Sequence, residues 1–78
     1  MNFSSKDNLI EFIKKQLNVC LSNEPGFLNK MENALYTEIP RIHKNAVLTL
    51  LNKHGIRYED HAKNCYWIFI DNQEDECS

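Results

Sequence analysis

The run Cys65-Tyr66-Trp67-Ile68-Phe69-Ile70 constrains the fold of this chain more than any other stretch. Aromatic and β-branched side chains fit a pleated surface and lose rotamer freedom in a helix, so five of this kind in a row after Cys65 read as a strand. Successive strand residues point to opposite faces. Tyr66, Ile68 and Ile70 therefore share one side, and Cys65, Trp67 and Phe69 the other. A hairpin that packs on helices needs only one apolar face. The second face must be covered from elsewhere in the chain, with Phe3 as a candidate, or meet another molecule.

The strand does not stand alone. Ile56-Arg57-Tyr58-Glu59 reads as a shorter one, and Asp60 to Asn64 as the polar connection between the two. A two-stranded hairpin is marginal in water and must pack on something. Three segments at helical spacing precede it. Leu9, Ile13, Leu17, Cys20 and Leu21 predict a first helix over about 8–22, capped by Ser4 or Ser5, with Asp7 favourable in its first turn. Pro25 suits the first turn of a second helix, whose stripe is Phe27, Leu28, Met31, Leu35 and Ile39, and Pro40 closes it. A third helix starts near Pro40 or Arg41, turns Ile42, Ala46, Val47, Leu50 and Leu51 inward, and stops at Gly55. The expected fold class is α+β: a three-helix bundle followed by a C-terminal two-stranded β-hairpin, as one domain over residues 1–70, with a disordered acidic tail at 71–78.

Size makes the spare apolar face matter. A chain of 78 residues buries only about 60% of the surface its unfolded form exposes, so the core has to be nearly complete. The 42% apolar and 26% charged composition is ordinary for a globular domain, and no apolar run approaches the ~20 residues of a membrane span. The N-terminus has no basic segment followed by an apolar stretch. Cys20, Cys65 and Cys77 are odd in number and widely spaced, which fits reduced thiols and an intracellular setting, cytoplasmic or nuclear. Abundant Asn with scarce Ala, Gly and Arg is the usage of an AT-rich coding genome, such as that of many phages, viruses and low-GC bacteria.

Charge is uneven along the chain. Nine basic against seven acidic residues leave +2 through residue 70, whereas Asp71, Glu74, Asp75 and Glu76 place -4 in the last eight positions. Dedicated nucleic-acid binders carry a more basic domain.

Three helices followed by a hairpin is the order of a winged helix. The stretch from Ala46 to Tyr58, AVLTLLNKHGIRY, resembles that family's junction between recognition helix and wing. The resemblance spans most of residues 8–70 and rests on apolar positions, one glycine and a hairpin. It implies a third helix lying in a DNA major groove, with Arg41, His43, Lys44 and Asn45 at its N-terminal end facing base edges. Lys44, Lys53, Arg57 and Lys63 would then neutralise phosphates. The plain alternative is that these are solvated charges on an exposed surface. Glu59, Asp60 and the acidic tail depart from the family pattern.

Other chemistry has less to stand on. His54, His61, Cys65 and Cys77 include a His-x3-Cys spacing, but no second ligand pair accompanies it. His61 and Cys65 are the one nucleophile and base that would meet across the hairpin. No phosphate-cradling glycine loop, paired catalytic carboxylates or nucleophile elbow is present. The sequence thus predicts no enzyme, no cofactor, no metal, no membrane and no small-molecule substrate. The leading expectation is a small regulatory protein that binds another protein, or a second copy of itself, through Tyr66, Trp67 and Phe69; DNA binding through the third helix is the rival. If the last strand is also a sheet edge, its free backbone groups would pair with an extended peptide.

Overall fold

The computed structural model describes residues 3–23, 26 and 29–71. Its elements run α1 (Lys6–Leu17), β1 (Ala34–Glu38), α2 (Arg41–Lys53), β2 (Tyr58–Ala62) and β3 (Cys65–Phe69). The chain is α+β as expected, but it has two helices and a three-stranded antiparallel sheet among the described residues. The expected three-helix bundle with a two-stranded hairpin is not formed.

α1 is capped by Ser5, whose Oγ accepts the Asn8 N–H. It ends five residues earlier than its periodicity predicts. Asn18 takes a left-handed conformation (φ 58°) and donates its N–H to the Lys14 carbonyl. Asn tolerates this region better than other side chains, so it stops a helix much as glycine does. Residues 18–23 are not helical, Val19 and Leu21 turn into the core, and Cys20 is exposed.

The expected second helix is where the prediction fails. Its start, Pro25, Phe27 and Leu28, lies outside the described residues, and its end is β1. Leu35 and Ile39 are four apart, a spacing that is both one helical turn and two strand periods, so the apolar stripe could not separate the alternatives. Thr37 settles the period. Leu35, Thr37 and Ile39 are all buried, at 0%, 1% and 0% exposure, whereas Met31, which a helix would have turned inward, is 46% exposed. β-branched Thr37, aromatic Tyr36 and the extended bias that Pro40 imposes on Ile39 all favour the strand.

α2 begins and ends as predicted. Gly55 (φ 69°) follows its last turn, with the Gly55 N–H bonded to the Asn52 carbonyl and the Ile56 N–H to that of Leu51. That pair of bonds is a Schellman ending, which requires the left-handed residue glycine supplies. Val47, Leu50 and Leu51 are buried, but Ile42 is 86% exposed and Ala46 is also exposed, against expectation.

The sheet order is β1-β3-β2, with Leu35 opposite Ile68, Tyr36 opposite Trp67, and Glu59 opposite Trp67 on the other side. β3 is therefore central and saturated on both edges, so it offers no free edge to a peptide. β2 and β3 join through Lys63 and Asn64, Asn64 having φ 63°. A register shift between Asp60 and Ala62 leaves His61 unpaired in a bulge. One face of the sheet, bearing Leu35, Tyr66 and Ile68, packs with Leu9, Ile13, Val47 and Leu51 of the helices in a single core. Of the expected acidic tail, 71–78, Asp71 is described and exposed, and residues 72–78 lie outside the described residues. No helix among the described residues is long and apolar enough to cross a membrane.

Candidate functional site: the open face of the sheet

Pairing register places Tyr36 and Glu38 of β1, Cys65, Trp67 and Phe69 of β3, and Glu59 of β2 on the face turned away from the helical core. Trp67, Phe69, Tyr36 and Cys65 are half-buried, while Glu38, Glu59 and His61 are exposed. The expected second apolar face of β3 therefore exists and is partly open. Phe3 does not cover it. Its ring packs on Phe12, with centroids 5.4 Å apart, and its N–H bonds the Ile70 carbonyl.

His61, two residues beyond Glu59 on β2, brings its imidazole onto the same face. His61 Nδ1 and the Tyr36 hydroxyl are 2.8 Å apart, and their rings meet nearly edge to face at 5.1 Å. Tyr36 and Trp67 lie 4.9 Å apart between centroids, and His61 and Trp67 6.4 Å. Each separation falls in the range where aromatic pairs attract beyond simple area burial. The Tyr36 phenol is held above its ordinary ionisation range, first by desolvation and then by its hydrogen bond and charge interaction with Cys65. Phe69 continues the aromatic row and carries the Arg57 guanidinium over its ring at 5.0 Å. An open groove of about 530 Å³, lined in part by Asn52, Arg57 and Phe69, borders that end.

Two of the three expected anchors, Trp67 and Phe69, are on this face. Tyr66 is not: it is 1% exposed and belongs to the helix-facing core. Periodicity already separated Tyr66 from the other two. Tyr36 and His61 were missed, the first because its strand was read as helix and the second because Asp60 to Asn64 was read as a connection, whereas β2 runs on through Ala62.

The rival set of residues does not converge. Arg41 and Asn45 lie exposed on the open side of α2, with Lys53 at its far end. His43 is half-buried, and Lys44 turns toward the hairpin, with Nζ 5.9 Å from the Tyr66 ring centre. Its hydrogen bond to the Tyr66 hydroxyl is the main cause of a raised ionisation range. Lys63 is at the hairpin tip, and Arg57 lies on the opposite face of the sheet from α2. Among the described residues no three His, Cys, Asp or Glu side chains gather as metal ligands. His54 packs its ring on Phe12, and His61 Nδ1 is engaged by Tyr36.

Charge is sorted by element. The three strands contain Glu38, Glu59 and Asp60 and no Lys or Arg, while α2 contains Arg41, Lys44 and Lys53 and no acidic residue. Comparison with protein families, with characterised proteins and with solved structures finds no match for this chain.

Proposed function

We propose that this chain is a small, non-enzymatic regulatory protein that binds another protein through the open face of its sheet, as an adaptor, an inhibitor or a self-associating subunit. The observation that carries this reading is the row of half-buried rings at Tyr36, Trp67 and Phe69, on a face that neither helix covers. Large aromatic side chains at the centre of a surface are the usual energetic anchors of protein interfaces. A domain with so little interior gains most by turning such side chains inward, so leaving three of them partly open favours a binding role.

The test is a paired substitution, Tyr36→Ser with Trp67→Ser. These side chains are half-buried, so the pair costs about 2–3 kcal/mol, and far-ultraviolet circular dichroism should still show a folded chain. Recovery of bound proteins from lysate of the native host should then fall at least tenfold relative to wild type. Equal recovery by the folded variant would exclude this face.

A second reading is supported by the acid-free open side of α2, where Arg41, Asn45 and Thr49 surround the exposed Ile42 and Ala46. Arg and Asn suit bidentate reading of guanine and adenine, and apolar side chains suit the thymine methyl group. This reading predicts duplex binding whose affinity falls steeply with salt and is lost in Arg41→Ala with Asn45→Ala. Binding at low salt that is indifferent to both substitutions would remove it.

A further inference from the structure

Glu59 stands directly opposite Trp67 across the β2–β3 ladder, and Glu38 stands opposite Cys65, one step along on the other flank. Side chains directly opposite in a ladder are roughly 5 Å apart at Cβ, and diagonal neighbours about 7–8 Å. Two exposed carboxylates therefore flank the central indole. Neither has an ion-pair partner among the described residues. Asp60, the third acidic residue of the strands, faces the other way, toward Lys44.

Resting on the reading of the open face as a docking surface, we propose that its occupant is a cationic peptide segment, with a Lys or Arg head lying over the Trp67 ring between Glu38 and Glu59. An indole is the strongest of the ring partners for a cation, through its electron-rich face. Tyr36, His61 and Trp67 already touch one another, so an ammonium or guanidinium sits on their outward side and not in a cage between them. Arg57 on Phe69 shows the same kind of contact two residues along β3. An acidic or phosphate-rich partner would meet two carboxylates at the centre of the patch. The acidic residues Glu74, Asp75 and Glu76 follow in sequence soon after β3 and add attraction of the same sign.

Trp67 is the single tryptophan of the chain, so its fluorescence reports on this site alone. The test uses the full chain and three labelled decapeptides alternating Val with Lys, Glu or Ser, followed by peptide anisotropy and Trp67 emission. The Lys peptide should bind saturably, shift Trp67 emission, and weaken as salt is raised. Glu38→Gln with Glu59→Gln, both at exposed positions, should weaken it about fivefold at low salt, and Trp67→Leu should weaken it about threefold. Glu74→Gln with Asp75→Asn and Glu76→Gln should have the smaller effect.

Binding lost on the tail substitutions but unchanged by those at Glu38 and Glu59 overturns the proposal, since the attraction would then be diffuse. Equal binding of the Ser or Glu peptide, lost in Trp67→Leu, overturns the cationic occupant but leaves the docking face. No peptide perturbing Trp67 at millimolar concentration overturns both. A concentration-dependent dimer in sedimentation, dissolved by Glu59→Gln, would assign the face to the basic α2 of a second copy and overturn a foreign segment.

Discussion

Two asparagines do the work of glycine in this chain. Asn18 and Asn64 hold the positive φ angles that end α1 and turn the β2–β3 hairpin. An L-residue with an ordinary Cβ loses roughly 1–2 kcal/mol in that region. Asn64→Ala should lower stability by about 1 kcal/mol, and Asn64→Gly should leave it unchanged or raised; urea unfolding midpoints distinguish the two. Ionisation gives a second residue-level expectation. The Tyr36 phenol and the Lys44 ammonium both titrate higher in the folded chain than their ordinary values near 10 and 10.5. Above those values the unfolded chain has released protons that the folded chain keeps. Their stabilising contribution is therefore complete below about pH 10 and is lost as pH rises through the folded values. Tyr36→Phe keeps the ring and removes one share, so its urea midpoint should fall less than that of wild type between pH 9 and 11.

At the scale of elements, β1 is the piece most open to test, because a helix and a strand predict different patterns of amide protection. The Ile39 N–H bonds the Asn64 carbonyl, and the Ile70 N–H bonds that of Asn33. Odd-numbered residues of β1 therefore face β3, and even-numbered ones face outward. The outward Tyr36 N–H is taken by the side chain of Asn29, at 3.1 Å, which closes part of that edge against pairing with another chain. Hydrogen exchange should be slow at Leu35, Thr37 and Ile39, and fast at Glu38. Uniform protection from Leu35 to Glu38 would mean a helix. Asn29→Ala should speed exchange at Tyr36 by freeing its amide, with Leu35 unchanged. The sequence shows α1, α2 and β3 because each holds one period for long enough. It does not show β1, where a five-residue strand sits inside an apolar spacing common to both periods, and it ends β2 three residues early because the polar run from Asp60 reads as a connection.

At the scale of the whole molecule, the described residues form one three-stranded sheet with helices against one side. One core joins residues from α1, α2 and all three strands, so unfolding should be cooperative. Circular dichroism, which reports the helices, and Trp67 fluorescence, which reports the sheet, should give coincident urea transitions. Stability of the order of 4–12 kcal/mol is expected at this length. Leu51→Ala, at a fully buried site on α2, should remove about 3 kcal/mol by leaving a cavity, and both probes should shift together. The strands carry Glu38, Glu59 and Asp60, and α2 carries Arg41, Lys44 and Lys53, although Arg57, just before β2, adds one cation to the open face beside Phe69.

Periodicity, caps and breakers determined what could be decided within one segment: a helix opened by Ser5, a helix closed by Gly55, and a final strand with two apolar faces. Those signals are local, since each depends on side chains a few residues apart along one backbone. Tertiary structure decided which strands lie side by side. Pairing with β3 made residues 34–38 a strand, placed β3 at the centre, and set Tyr36 and Glu59 on either side of Trp67. That neighbourhood joins residues more than twenty positions apart, and its free energy comes from ladder bonds and shared burial that exist only once the distant segments have met.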